Sequence, residues 1–277
     1  MINNEEDIWG FLIGEEVLHK KWSKGKIKSI EGKYMIVDFG TKEVKFLFPD
    51  AIDKFLKMED ENIKDKVMKQ FKNYDILKKI KEQKIEKFVH FTNVQNLDSI
   101  LREGLIPVKN LKEKGIEYHF NDIDRLDNRL EASSLSIAFP NYQMFYTYRK
   151  KNPNLQWVVI SYDAKKVAKK DCAYFQYNAA LHIYKNVKWE TFISLSAFNL
   201  LFSGNREGLY SYETTNPQAE VMVREIIPTD YIDAIYFNDY FLYKFYEQKH
   251  PNIKMIYDDY YFTPRRDYMK WSKNYGK

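Results

Sequence analysis

Three polar residues that could converge on one ligand lie within the segment FVHFTNVQN, residues 88–96. Side chains alternate across a β-strand, so His90 and Thr92 are predicted to share one strand face. Asn96 follows at the start of a predicted short helix that ends near Gly104, and its amide can join them. An imidazole, a hydroxyl and an amide together suit a polar ligand, whereas a strand histidine alone can equally be structural.

A single carboxylate marks the second segment, NPQAEVMV, residues 216–223. Glu220 interrupts an otherwise apolar predicted strand, and Gln218 is expected on the same face two residues earlier. Burial of an ionised carboxylate is costly unless a cationic or hydroxyl-bearing group meets it. Glu220 therefore either serves a polar site or lies on an edge strand that presents it to water.

Composition narrows the class of protein. The 277 residues carry 44 Lys+Arg against 39 Asp+Glu, and a net charge of +5 does not by itself identify a nucleic-acid binder. Cys172 is the only cysteine, which excludes an intramolecular disulfide, and the five histidines lack metal-ligand spacing, so no metal is expected. No apolar run approaches the roughly 20 residues of a membrane span, and the N-terminus lacks a secretory layout. We expect a cytoplasmic protein with no membrane partner.

Three regions differ in pattern, and we predict domains at 1–58, 59–87 and 88–277. Short alternating stretches in the first region predict a small β-barrel. The region resembles SH3-like or Tudor-like barrels in the motifs Gly14-x-x-Val17-x-His19 and Lys24-Gly25-Lys26-Ile27. This barrel could bind nucleic acid through its lysines, dock a protein or act as a passive packing module. Those lysines are Lys20, Lys21, Lys24, Lys26 and Lys28. The second region is charged, lacks glycine and proline, and predicts a helical linker.

The third region is predicted to be α+β. Strand patterns at 134–139, 156–162, 219–226 and 233–238 are mixed with helical stretches between 178 and 202. Strands and helices do not alternate regularly, and no glycine-rich phosphate loop is present, which argues against a doubly wound sheet.

Several motifs in this region together resemble the DarT toxins, which are nucleic-acid ADP-ribosyltransferases. They are His90-x-Thr92 with Asn96-Leu97-x-Ser99-Ile100, Asn178-Ala179-Ala180, Trp189, and the strand from Gln218 to Val223. The resemblance extends over roughly residues 88–240. It implies an ADP-ribosyltransferase-like split mixed sheet with helices, a cleft for NAD as substrate, and transfer of ADP-ribose to a base.

The resemblance also implies roles for individual residues. Glu220 matches the catalytic glutamate, whose carboxylate can orient the ribose hydroxyls and stabilise the positive charge that develops when nicotinamide leaves. The same carboxylate could help to remove a proton from the attacking base. His90, Phe91, Thr92 and Asn96 are expected to bind NAD.

The chain departs from the family pattern at one position. In the stretch AFPNYQMFY, residues 138–146, Asn141 occupies the place of an arginine that many DarT proteins carry. Arg149 is our candidate for the missing catalytic cation, and Arg125 is the second candidate. Arg125 and Asn141 are both predicted to border the NAD site.

The predicted function is transfer of ADP-ribose from NAD to a nucleobase of single-stranded DNA or RNA, by a toxin or phage-defence effector with an antitoxin protein as partner. One alternative is a non-catalytic nucleic-acid-binding protein on a relic NAD fold, which the asparagine at position 141 favours. Another is a protein-modifying ADP-ribosyltransferase, which differs only in its acceptor. The C-terminal segment from Tyr257, with Arg265, Arg266, Lys270 and Lys273 among aromatic rings, suits either a strand-binding surface or a docked final element.

Overall fold

A computed structural model describes residues 7–52, 54–119, 129–266 and 269. The chain divides into two compact units, Met1–Tyr74 and Asp75–Lys277, called here the N-terminal and C-terminal units. The division falls inside a helix, and the domain boundaries at 58 and 87 stay predictions. Within the described ranges, no helix has both the length and the apolar character needed to cross a membrane.

The N-terminal unit is built on an antiparallel sheet. Its strand order is β4-β3-β2-β1-β5, with β1 Glu16–His19, β2 Ser23–Glu31, β3 Tyr34–Asp38, β4 Glu43–Leu47 and β5 Leu56–Met58. Alternation in β3 buries Met35 and Val37 completely, which places one face of the sheet on the core. The likeness to SH3-like barrels stays a prediction.

One helix, α1 Glu61–Glu82, occupies most of the charged stretch that was predicted as a linker. Val67 on this helix is buried in the core of the N-terminal unit, and Ile76 and Ile80 are buried in the core of the C-terminal unit. The helical spacing of the apolar residues therefore serves core packing in each unit.

The C-terminal unit contains a seven-stranded mixed sheet in the order β12-β11-β8-β6-β7-β10-β9. Its strands are β6 Lys87–Asn93, β7 Ser133–Ile137, β8 Trp157–Asp163, β9 Cys172–Phe175, β10 Glu220–Val223, β11 Ile232–Phe237 and β12 Met255–Tyr257. β11 and β12 are parallel, and the other pairs are antiparallel. The predicted α+β fold with a mixed sheet is confirmed.

Six helices accompany this sheet in the described part of the unit. They are α2 Leu97–Glu103, α3 Val108–Glu113, α4 Tyr142–Lys151, α5 Ala164–Val167, α6 Leu195–Leu200 and α7 Tyr240–Lys249. Gly104 ends α2 with a φ of 83°, and a Cβ at this glycine would lie 2.5 Å from the carbonyl oxygen of Ile227. The glycine is therefore required both by the backbone conformation and by the close approach of the neighbouring chain.

The two faces of the sheet pack in different cores. Phe88, Ile160 and Ile235 belong to one buried cluster, whereas their neighbours Val89, Val159 and Ala234 belong to another. Strands buried on both faces read as continuous apolar runs, which explains the stretch WVVISY in β8.

The described part of the C-terminal segment packs against the unit. Tyr261 and Phe262 are buried in the same cluster as Val89. Arg265 donates to the carbonyl oxygen of Thr214 at 3.1 Å, and Arg266 forms an ion pair with the carboxylate of Glu213. These contacts favour the docked alternative for residues 257–266, while Lys270 and Lys273 lie outside the described residues.

The sheet splits between β6 and β7. Their ladder consists of the pairs Phe88↔Ile137 and Val89↔Ser136, whereas β6 stays paired with β8 along its whole length. On its other side, β7 pairs with β10 through residues 133–135. The strands therefore diverge immediately after Val89, and this opening forms the candidate site.

Candidate active site

A cavity lies at the split between β6 and β7, and six of the predicted site residues border it. These six are His90, Phe91, Thr92, Asn96, Asn141 and Glu220. The divergent strands and the first turn of α4 thus bring together residues that are separated by up to 130 positions in the chain.

Glu220 begins β10 and is only 5% exposed, so the edge-strand alternative, in which it faces water, is wrong. Its Oε2 atom accepts a hydrogen bond from the backbone N–H of Ala179 at 2.8 Å, and its Oε1 atom accepts from Ser134 Oγ at 3.3 Å. Each carboxylate oxygen therefore has a donor on a different neighbouring strand or loop. These two contacts fix the orientation of the carboxylate at the wall of the cavity.

His90 projects from β6 at the point of divergence. Its Nδ1 atom lies 2.8 Å from the backbone oxygen of Ser134. A carbonyl oxygen only accepts, so Nδ1 carries the hydrogen, and in the neutral ring Nε2 then holds the lone pair. The hydrogen bond therefore fixes both the ring orientation and the tautomer of His90.

Asn96 ties the end of β6 to a distant loop. Its Nδ2 group donates to Thr92 Oγ1 at 3.0 Å and to the backbone oxygen of His119 at 2.8 Å, while its Oδ1 atom accepts from the His119 N–H at 2.7 Å. Thr92 itself is 2% exposed. Asn96 occupies the N-cap position of α2 but makes no side-chain cap there, because its amide is used for these contacts.

Asn141 caps α4 instead of supplying a charge. Its Oδ1 atom accepts from the Met144 N–H at 3.3 Å, and its own N–H donates to Ser136 Oγ at 3.2 Å. Asparagine is among the preferred N-cap residues, and the side chain is 3% exposed. Asn141, the residue that departs from the family pattern, is therefore held in the wall of the cavity by its role as the N-cap of α4.

Aromatic rings form the remaining wall beside β6. Phe91 stacks on Phe145 with ring centres 4.6 Å apart, and Tyr148 on the same helix also lines the cavity. Tyr148 is stacked on Trp157 with an angle of 9° between the rings. These packed rings give the cavity a rigid apolar side.

Arg149 does not line the cavity. Its guanidinium donates to the backbone oxygen of Phe262 at 2.6 Å and lies 4.6 Å from the ring centre of Phe145. Burial lowers the pKa of this guanidinium below its ordinary value. These contacts give Arg149 a packing role and do not favour the predicted catalytic role. Arg125, the other candidate cation, lies outside the described residues.

Two further residues from the sequence motifs lie away from the cavity. Gln218 lies in the turn before β10, where strand alternation with Glu220 does not apply, and it donates from Nε2 to Gln143 Oε1 without lining the cavity. Trp189 is buried, donates from Nε1 to Asp171 at 3.2 Å and packs under Arg224.

Sequence reasoning missed several residues that line the cavity, among them Ser134, His119 and Tyr148. The sequence does contain a signal for Ser134. In SSLS, residues 133–136, Ser134 and Ser136 occupy alternate positions, from which a hydroxyl could support a carboxylate on the next strand. No local pattern marks His119, since its place depends on the long-range contact with Asn96.

The residues present fit the nicotinamide riboside half of NAD. The amide, hydroxyl and imidazole groups suit a carboxamide and a sugar, and a fixed carboxylate suits ribose hydroxyls. The pyrophosphate is less well matched, since no lysine or arginine is found among the described residues that line the cavity.

Comparisons with known proteins give a family match and several structural matches. The family model described as "ssDNA thymidine ADP-ribosyltransferase, DarT" matches residues 89–267. No curated protein matches the chain.

Several solved structures are similar at low identity. Thermosipho africanus DarTG in complex with ADP-ribose is 18% identical, with a TM-score of 0.44, over 65% of this chain and 52% of that one. Thermus sp. 2.9 DarT in complex with carba-NAD+ is 14% identical, with a TM-score of 0.45, over 64% and 97% of the two chains. The same Thermus protein with ADP-ribosylated ssDNA is 13% identical, with a TM-score of 0.46, over 64% and 96%. The chain thus spans about half the length of the Thermosipho protein and nearly all of the Thermus protein.

The family model covers well over half of the sequence, including most of β6, all of β7 and β10, and every predicted site residue. It confirms the predicted ADP-ribosyltransferase class, and its description names single-stranded DNA as the acceptor of the family. This chain belongs to the DarT family of single-stranded DNA thymidine ADP-ribosyltransferases.

Proposed function

We propose that this chain transfers ADP-ribose from NAD to thymine bases of single-stranded DNA, and that Glu220 is its catalytic residue. One observation carries the proposal. A buried carboxylate, held by Ser134 and Ala179, borders a cavity that His90 and Thr92 also line. Membership of the DarT family supports both the donor and the acceptor.

The reaction exchanges one glycosidic bond for another. The bond from ribose C1′ to the nicotinamide nitrogen breaks, and its electron pair leaves with neutral nicotinamide. A ring nitrogen of thymine then forms a bond to C1′ and loses its proton. Glu220 stabilises the positive charge that develops on the ribose, and in this proposal its carboxylate accepts the proton.

The residues on β6 hold the donor in this proposal. His90 and Thr92 bind the nicotinamide side, while Phe91 supports the cavity wall through its stack on Phe145. Asn96 acts indirectly, because its amide fixes Thr92 and the backbone of His119. Asn141 borders the site and holds the start of α4 against β7.

The predicted toxin role is part of this proposal, with an antitoxin protein as partner and a cytoplasmic site of action. Modification of thymine would obstruct replication of the strand that carries it. Such an activity requires a partner protein that counteracts the damage. The enzyme must also act where both NAD and exposed DNA strands are available.

A labelling experiment tests the function. The full chain is incubated with NAD that is labelled on its adenosine half, together with separate pools of oligothymidine, thymidine-free single-stranded DNA, RNA and unrelated protein. We expect labelling of oligothymidine alone, with release of one nicotinamide for each label transferred.

Other outcomes point to the alternatives. Labelling of the protein pool would support a protein-modifying transferase. Binding of oligothymidine without release of nicotinamide would support a non-catalytic protein on a relic NAD fold, the alternative favoured by the absence of lysine and arginine from the described cavity wall.

A further inference from the structure

Seven lysines of the N-terminal unit form two groups that differ in what their ammonium groups face. In the first group, each ammonium faces a carboxylate. Lys24 pairs with Glu16 at 2.6 Å and also with Glu59, Lys26 reaches Glu16 at 4.0 Å, and Lys28 pairs with the carboxylate of Glu43. These pairings partly neutralise the cluster that the sequence predicts as a phosphate-binding surface.

The second group lies over aromatic rings. The Nζ atoms of Lys42 and Lys21 are 4.1 Å and 5.9 Å from the ring centre of Trp22. Those of Lys45 and Lys33 are 4.3 Å and 5.5 Å from the ring centre of Tyr34. All four lysines are exposed, and none forms an ion pair with a carboxylate in the described part of the unit.

The local structure fixes both rings. Trp22 lies in the turn between β1 and β2, and the ring of His19 stacks against it at 4.2 Å with an angle of 17°. Tyr34 begins β3 and lies opposite Leu47 of β4. Lys45, two residues before Leu47, lies opposite Ile36, two residues after Tyr34. Lys45 is therefore the diagonal cross-strand neighbour of Tyr34.

This arrangement suits a nucleic-acid strand. A half-exposed ring can stack on any base, and ammonium groups beside it can meet the flanking phosphates. Lysine side chains are long and mobile, so each can leave the ring when a base stacks there. Two such ring and lysine groups on one small unit supply both parts of single-strand binding.

We infer that the N-terminal unit binds single-stranded DNA through Trp22 with Lys21 and Lys42, and through Tyr34 with Lys33 and Lys45. The inference rests on the proposed function for the choice of DNA as ligand. The family model begins at residue 89, so this surface lies outside the matched region. It would add affinity for the strand without reading its sequence, because the ligand features are base faces and phosphates.

Two double variants of the full chain test the inference with equal changes in net charge. Lys42→Gln with Lys45→Gln removes one ammonium from each ring. The control, Lys24→Gln with Lys28→Gln, removes two lysines that face carboxylates. Affinity for a long labelled oligothymidine is measured at several salt concentrations without NAD, and thermal melting shows whether each variant is folded.

We expect the ring-lysine variant to bind more weakly and its salt dependence to become shallower by about 1.4 in log–log slope, since each phosphate contact on a single strand contributes about 0.7. The control should retain most of the wild-type slope. Tyr34→Ala should weaken binding roughly tenfold with little change in slope, because it removes a stacking face and no charge.

Equal slopes for wild type and both double variants would overturn the inference, and so would a wild-type chain that does not bind oligothymidine. Failure of the proposed function is separate from this result. If the proposed function is wrong, the wild-type protein will transfer no label. Binding that depends on Lys42 and Lys45 would still establish the strand-binding surface in that case. An acidic protein as the true ligand would leave oligothymidine binding unchanged in the ring-lysine variant.

Discussion

Ser134 and Glu220 are joined by a hydrogen bond of 3.3 Å from the serine hydroxyl to Oε1, although 86 positions separate them in the chain. They are diagonal neighbours on the paired strands β7 and β10, where Ser134 lies opposite Met222. The backbone oxygen of the same serine holds His90. One residue therefore positions two side chains that line the cavity, through two different atoms.

Ser134→Ala separates these two contacts. The backbone oxygen that holds His90 remains, while Glu220 loses one of its donors. We expect kcat for ADP-ribose transfer to fall about tenfold with a small change in KM for NAD, because the carboxylate is less well oriented in the transition state. Ser134→Thr keeps the hydroxyl and should recover most of the rate. An unchanged kcat in a folded Ser134→Ala protein would mean that the serine hydroxyl is not needed to orient Glu220.

Asn96→Asp tests the link between β6 and the His119 loop. The aspartate keeps an acceptor for the His119 N–H but removes the donor to Thr92 and to the His119 backbone oxygen. We expect weaker NAD binding by calorimetry and faster hydrogen exchange of the His119 amide. Asn96→Ala removes all three bonds and should have the larger effect. Wild-type affinity in both variants would assign Asn96 a purely local role.

Asn141 is expected to contribute to stability through its cap. Asn141→Ala removes the acceptor for the Met144 N–H and should lower the free energy of unfolding by about 1 kcal/mol, as for other N-cap replacements. Asn141→Asp keeps an acceptor at the helix N-terminus and should melt close to wild type. Denaturant unfolding of the three proteins gives the comparison, and equal stability of the alanine variant would contradict a capping role.

Replacement of Arg149 distinguishes a packing role from a catalytic role for this side chain. Its contacts with the Phe262 carbonyl and the Phe145 ring predict that Arg149→Ala lowers the melting temperature while turnover per folded molecule is largely kept. Tyr146→Ala is a suitable control, since this neighbouring side chain is 57% exposed. A collapse of turnover without loss of stability would restore the catalytic role that the sequence suggested for Arg149.

The sequence predicts most of the elements that carry the site. Alternation placed His90 and Thr92 together on one strand, and the lone carboxylate in an apolar strand identified Glu220, because both signals are local. Strand ends shifted by a few residues: the pattern at 219–226 contains β10, which spans Glu220–Val223. Gln218 was misplaced for this reason, since strand alternation does not extend before Glu220.

Other features depend on contacts that no local pattern encodes. The split between β6 and β7 follows from the short ladder Phe88↔Ile137 and Val89↔Ser136, which depends on where β8 and β10 pair. The lysines between residues 20 and 28 were predicted to form one phosphate-binding cluster, but three of them pair with carboxylates and Lys21 lies over the ring of Trp22. Arg149 was predicted to be a cation near the site from its helical spacing to Asn141. That spacing does not show which face of α4 packs inward.

In the proposed function, the Glu220 carboxylate drives transfer of ADP-ribose to single-stranded DNA, and Glu220→Gln separates its charge from its shape. The amide keeps the size of the side chain and an acceptor oxygen but removes the charge. With labelled NAD and oligothymidine at saturation, we expect transfer to fall at least about 100-fold, with unfolding behaviour close to wild type. Transfer at a near wild-type rate by the folded variant would contradict a catalytic role for Glu220.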